Sequence, residues 1–99
     1  MVWNFSGNIN GTVTSVAQNL PNQIDSFSIV NKAAGATVFN VYKITTGGGI
    51  CISPLNKSLA ASEIYEVTRG VVLLATEKIK IQTSGSVDYD FTISNLQPE

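Results

Sequence analysis

Few residues in this chain are able to do chemistry, and what surrounds them decides what they can do. The sequence contains no histidine, which removes Ser–His and Cys–His nucleophile pairs and every histidine-based metal site. Cys51 is the sole cysteine, set in "GICIS". No internal disulfide can form, and without a basic partner or a helix N-terminus the thiol lacks what makes a strong nucleophile. It reads instead as a small buried side chain. Asp88 and Asp90 lie two apart in "SVDYDFT", so on a strand both project from one face beside Ser86 and Thr92. Two carboxylates and two hydroxyls form a set able to hold a calcium ion weakly, and equally the solvent face of an edge strand. "TTGGGI" at Thr45–Ile50 is glycine-rich, but it lacks the Lys-Ser/Thr pair and following helix of a phosphate cradle. It reads as a hairpin loop.

The basic residues are Lys32, Lys43, Lys57, Arg69, Lys78 and Lys80, of which only Lys78 and Lys80 share a face. With a net charge of −1 there is no long-range pull toward nucleic acid or an anionic membrane. Trp3, Phe5, Tyr42 and Tyr65 are the aromatics able to make a stacking platform for bases or sugars, against the ordinary alternative of core packing. The expectation is a protein that is no enzyme, with no catalytic residues, no cofactor and no resident metal.

The elements that position these groups follow from period-2 alternation, which runs through the chain with no helical stripe. Val87, Tyr89, Phe91 and Ile93 alternate with Asp88, Asp90, Thr92 and Ser94; Ile79 and Ile81 alternate with Lys78, Lys80 and Gln82. Phe27 and Ile29 alternate with Ser26 and Ser28. "ATVFNVYKI" at Ala36–Ile44 is apolar on both sides, as in a strand at the centre of a domain or covered on both faces. Gly49–Ser53 then pairs back as a short strand stopped by Pro54. Asn10-Gly11 and "TSGS" at Thr83–Ser86 carry hairpin signals, with Gly85 free to take a positive φ. Seven to nine short strands at intervals of about 8–12 residues predict an all-β, single-domain antiparallel sandwich over 1–99.

Two stretches of this pattern share a phrase, "ASEIYEV" at Ala61–Val67 and "ATEKIKI" at Ala75–Ile81. Each follows leucine: Leu59 in the first case, Leu73 and Leu74 in the second. The leucine anchors a corner, the small polar pair turns the backbone, and Glu63 or Glu77 stands solvated at the head of a new strand. The strand's apolar side is Ile64 or Tyr65 with Val67 in one copy, and Ile79 with Ile81 in the other. A shared corner device explains the likeness better than a pair of active-site carboxylates.

The surface is unusual. Hydrophobic residues make up 43% of the 99 positions, enough for a core, but charged residues only 13%, against about 25% in ordinary soluble domains. None occurs before Asp25. The front of the chain shows neither a signal peptide nor a membrane-length apolar run, so synthesis in a cytoplasm is expected and three Asn-X-Ser/Thr sequons carry no meaning. A skin of Ser, Thr, Asn, Gln and Gly repels neighbours weakly. Sheet edges are ordinarily blunted by Lys, Pro or a bulge, and the uncharged front segment has little of this. Residues 1–10 are therefore expected to form an N-terminal arm or outer strand packing on a neighbouring subunit, with Trp3, Phe5 and Ile9 at the interface.

The runs "ATVFNVY" at Ala36–Tyr42, "PLNKSLAASEIY" at Pro54–Tyr65, "LLATEKIKI" at Leu73–Ile81 and "VDYDF" at Val87–Phe91 resemble those of small virion proteins of tailed bacteriophages. The likeness spans about two thirds of the chain, roughly Ser28–Ile93, and where those proteins place glycine at the corner this sequence has Ser62 and Thr76. The resemblance implies an immunoglobulin-like or jelly-roll sandwich. It also implies a structural part of a virion, such as a capsid decoration or a head–tail accessory, without catalytic residues. Such a protein would associate with itself, a trimer being the favoured state, and with other virion proteins such as the major capsid protein. No nucleic acid or membrane partner is implied. The alternative is a small binding module that recognises carbohydrate or a host-surface receptor through exposed aromatics.

Overall fold

Alternating sequence becomes strand wherever an apolar face can be covered. The computed structural model of the chain describes residues 2–16, 18 and 20–96; Met1 of the expected arm and the last three residues lie outside these. Ten strands run in chain order: β1 (Val2–Ile9), β2 (Thr12–Thr14), β3 (Asn22–Asn31), β4 (Thr37–Thr45), β5 (Gly48–Cys51), β6 (Lys57–Leu59), β7 (Ile64–Val67), β8 (Val71–Leu73), β9 (Lys78–Thr83) and β10 (Val87–Asn95). The count exceeds seven to nine because two edges are cut into short pieces, β5 with β6 and β7 with β8.

The pairings are those of a long hairpin that has been rolled up. β1 pairs with β10, β2 with β9, β3 with β8, and β4 with both β5 and β6, all antiparallel. Rolling brings β10 against β3 and β9 against β4, and β7 is added to β3. The result is one sheet ordered β1-β10-β3 with β7 and β8 beyond, facing a second ordered β2-β9-β4 with β5 and β6 beyond. Of the two expected sandwich types, this connectivity is the jelly roll.

The inner faces carry the residues that the alternation assigned to them. Ile24, Phe27, Ile29, Val87, Phe91 and Ile93 of the first sheet meet Phe39, Val41, Ile79 and Ile81 of the second, all buried. Phe27 and Phe91 stack with centroids 4.7 Å apart and planes within 8°. Burial of each such side chain contributes about 1.5–3 kcal/mol. The register of β10 on β3 shifts between Thr92 and Ile93. This bulge leaves Asp25 without an opposite residue, and its carboxylate instead accepts the Ser94 hydroxyl at 2.8 Å.

Three local expectations change. Asn10-Gly11 and Thr83–Ser86 do not close hairpins: β1 and β2 belong to different sheets, as do β9 and β10. A two-residue type I′ hairpin needs positive φ at both central residues, whereas only Gly11 has it, at 125°. Each strand therefore takes the partner that covers its apolar face. Gly85 does not adopt a positive φ. Glycine is needed there because a Cβ would stand 2.6 Å from Thr37 Oγ1. β4 is central in its sheet, but only one face is covered, and Val38, Tyr42 and Ile44 share the outer one. The expected hairpin at the glycine run is present, with β4 and β5 meeting from Thr45↔Gly48 to Tyr42↔Cys51.

Buried asparagines, rather than ions, satisfy the backbone at the ends of the sandwich. Asn31 Nδ2 donates to the carbonyls of Gly35, Leu59 and Ala60 at 2.9–3.1 Å. Its Oδ1 accepts the Ala33 N–H at 2.9 Å and the Thr37 hydroxyl at 3.0 Å. Asn40 Oδ1 accepts the Asn56 N–H at 2.7 Å and its Nδ2 donates to Asn56 Oδ1 at 3.0 Å. This exchange holds Asn56 at a φ of 52° and shapes the "PLN" corner.

Candidate functional site

The repeated phrase builds two of the places where the chain changes sheets. One corner carries it from β6 of the second sheet to β7 of the first, and the other from β8 of the first back to β9 of the second. Leu59 and Leu73, immediately before the corners, are buried as anchors, whereas Leu74 is exposed. Ser62 and Thr76 sit at φ 66° and 72°, where glycine is the unstrained residue. Glu63 and Glu77 each accept a backbone N–H of their own turn, from Ala60 at 2.9 Å and Leu74 at 2.7 Å. Their carboxylates hold corners, a finer role than solvated strand heads. On β7 the inward pair is Tyr65 with Val67, and Ile64 is exposed.

The outer face of the first sheet is polar and hydroxyl-rich. Asn8 Nδ2 donates to Asp88 Oδ1 at 2.9 Å and to Ser86 Oγ at 3.1 Å. Asn4 Nδ2 reaches Thr92 Oγ1 at 3.4 Å and Asp90 Oδ1 at 3.5 Å. Lys32 Nζ lies 3.8 Å from Asp88. The row proposed for calcium is thus laced to β1 by amides. Among the described residues no group of three His, Cys, Asp or Glu side chains converges as metal ligands would. A shallow depression of about 220 Å³ lies beside it between Asp90, Ser28 and Glu66.

The outer face of the second sheet carries the basic pair. Lys80 stands opposite Tyr42, its Nζ 5.9 Å from the ring centroid. One rung along, Asn40 is opposite Gln82, at the edge of an open groove of about 250 Å³ shared with Asn56, Ser84 and Val38. Cys51 is half-buried rather than enclosed, with Sγ 3.0 Å from the Ser53 carbonyl. Tyr65 is no platform residue: it packs inside between Phe27 and Phe39, at 6.3 and 5.4 Å.

Trp3, Phe5 and Ile9 lie on the inner face of β1, packed against the chain's own core. Phe5 stands 4.9 Å from the Tyr89 ring and 5.8 Å from that of Phe91, and Trp3 Nε1 donates to Asn22 at 3.3 Å. Residues 2–9 are therefore the outer strand of their own domain, paired with β10 from Val2↔Ser94 to Ile9↔Val87. Among the described residues, no strand pairs with the other side of the β1 backbone. Two features went unread in the sequence. Gly7 lies beneath Tyr89, whose hydroxyl would stand 3.0 Å from a Cβ there. Asn31 and Asn40 were signalled only as lone amides in the apolar runs "SIVN" and "VFNVY".

These features define a jelly-roll sandwich with an open margin at β1. Its fold is similar to that of a protein in the crystal structure of the T13 IBDV viral particle, with a TM-score of 0.60 and 12% identity over 94% of this chain. This chain spans 30% of the length of that one. PirA is also similar, with a TM-score of 0.51 and 14% identity over 96% of this chain and 91% of its own. No protein-family model and no curated protein matches the sequence.

Proposed function

We propose that this chain is a non-enzymatic structural component of a virus particle, acting through self-association and docking on other virion proteins. The observation that carries the reading is the surface. A jelly roll with only 13% charged residues presents one sheet face rich in Ser, Thr and Asn, a second that mixes Lys78 and Lys80 with Val38, Tyr42 and Ile44, and a margin strand with no charge. Such a surface costs less to desolvate than a charged one and suits a neighbour that meets its hydrogen bonds. The fold shared with a viral-particle protein supports this direction, although jelly rolls also form lectin domains and cupins. The resemblance of the corner and strand motifs narrows the reading to a tailed bacteriophage, as a capsid decoration or head–tail accessory. The protein is then made in the host bacterial cytoplasm and resides in the virion. Immunogold electron microscopy of purified particles carrying an epitope-tagged copy tests it. Label on the capsid or the head–tail joint is expected; label absent from particles and confined to the host lysate would overturn the reading.

A second reading, carbohydrate recognition, has one favourable feature in Tyr42 beside the amide-lined groove of Asn40, Asn56 and Gln82. A glycan array separates the two readings. Sugar binding by wild type that is lost in Tyr42→Ala favours recognition, and no binding favours the structural role.

A further inference from the structure

The four margins of the two sheets are not alike. On the first sheet the far margin is split between β7, four residues long, and β8, three residues long. On the second, the far margin is split between β5, of four residues, and β6, of three, and the near margin is β2, of three. Very short strands are one of the ways in which natural sheets discourage edge-to-edge pairing. β1 is different: eight residues, Val2–Ile9, with unbroken register on β10. It has no charged residue and no proline. Among the described residues no strand lies beyond it.

Its inner face is also unfinished. Phe91, Ile93 and Val87 on β10 are fully buried, whereas Trp3, Phe5 and Ile9 opposite them are only partly covered. A ribbon of apolar surface therefore runs along the same margin as a row of open backbone donors and acceptors.

We infer that β1 pairs antiparallel with β1 of a second copy across a two-fold axis, joining two five-stranded sheets into one of ten strands. This deepens the self-association in the proposed function and rests on that part of it. The occupant follows from length. Any other margin of this chain offers strands of three or four residues, whereas β1 of a second copy matches seven of its eight residues with faces aligned and carries no charge to repel it. A head-to-tail ring, which a trimer would need, must set β1 against one of those stubs. The alternation fixes which registers are allowed, because directly opposed residues share a face. An axis at Ser6 sets Trp3 against Ile9 and Phe5 against Gly7 on the inner face, a ring beside a residue with no side chain. On the outer face it sets Asn4 against Asn8, and Ser6 against its own copy.

Light scattering on the full-length chain tests this. Wild type is expected at twice the 10.5 kDa chain mass at micromolar concentration. Ser6→Lys places like charges at the axis, while within one chain it faces Asp90. It is expected to weaken the dimer at least tenfold with its thermal unfolding intact. In a Cys51→Ser background, Ser6→Cys is expected to cross-link on oxidation, since opposed residues of antiparallel strands have Cα atoms about 4.5–5.5 Å apart, within disulfide reach. A monomeric wild type at 100 µM overturns the inference. So does a dimer that neither cross-links through Ser6→Cys nor responds to Ser6→Lys. Particle labelling is read separately: a monomer that still labels virions sinks the pairing and spares the structural role, and an edge-paired dimer absent from virions does the reverse.

Discussion

Leu74 and Glu77 hold each other across a turn. The Leu74 N–H donates to Glu77 Oε1 at 2.7 Å, and the Glu77 N–H donates to the Leu74 carbonyl at 3.0 Å. Ala60 and Glu63 repeat the arrangement at 2.9 and 3.0 Å. The side chain supplies a partner to a backbone donor that the corner would otherwise leave to water, much as a capping residue does at a helix start. Glu77→Ala is expected to cost about 1 kcal/mol, by analogy with loss of a cap. Glu77→Gln keeps an acceptor oxygen and is expected to cost less than half as much. Urea unfolding of the three proteins reads the difference, and equal losses would mean that charge rather than the hydrogen bond matters.

The turn between those residues holds a conflict. Thr76 is β-branched and sits at φ 72°, and Ser62 sits at φ 66°. An L residue pays about 1–2 kcal/mol for the left-handed region, and a β-branched one is a true outlier there. Glycine removes that strain and loses part of the gain to the entropy of a freer unfolded chain. Thr76→Gly is expected to stabilise by about 0.5–1 kcal/mol, and Ser62→Gly by less. A rise in the thermal midpoint in scanning calorimetry checks this, and a fall would show that the hydroxyl side chains are held by something other than the turn.

Much of the fold was legible because one side of each strand is buried. Val87, Tyr89, Phe91 and Ile93 were assigned inward from alternation alone, and all four are buried. The leucine-anchored corners were legible for a related reason, since a buried residue followed by small polar ones marks where a strand must leave the core. Strand partners were not legible. Asn10-Gly11 has the composition of a hairpin turn, but composition is local, whereas the pairing of β1 with β10 is decided by apolar faces far apart in the chain, from Ile9↔Val87 to Trp3↔Ile93. The contacts of Trp3 and Phe5 within their own domain were hidden for the same reason: of the two expected forms, arm or outer strand, the structure has the strand, and nothing in residues 1–10 reveals that Tyr89 and Phe91 wait beside it.

Asn31 concentrates more polar contacts than any surface group named above. It is 1% exposed, and its amide joins the 33–37 loop to the first corner through five hydrogen bonds. Asn31→Ala leaves the carbonyls of Leu59 and Ala60 and the Thr37 hydroxyl short of a partner. A loss of about 3 kcal/mol is expected, in the range for breaking a buried hydrogen-bonded network. Guanidinium unfolding monitored by Trp3 fluorescence measures it, and a cost below about 1 kcal/mol would mean that the loop relaxes and water takes over.

Salt should hardly matter to this protein, either alone or paired. Among the described residues one ion pair, Lys32–Asp88, comes within 4 Å; it is long at 3.8 Å and about half exposed. A pair of that kind contributes at most a few tenths of a kcal/mol, so raising NaCl from 0.05 to 1 M is expected to move the thermal midpoint by no more than about 2 °C. The same holds for the margin strand, because no residue from Val2 to Ile9 is ionised. An interface of backbone hydrogen bonds and half-covered rings keeps its strength when charges are screened, whereas docking of the Lys78–Lys80 face onto the Asp88–Asp90 face would weaken steeply. Sedimentation velocity across that salt range distinguishes them. A dimer constant within about twofold agrees with strand pairing, and a dimer that dissolves in high salt would move the contact from the edge to the charged faces.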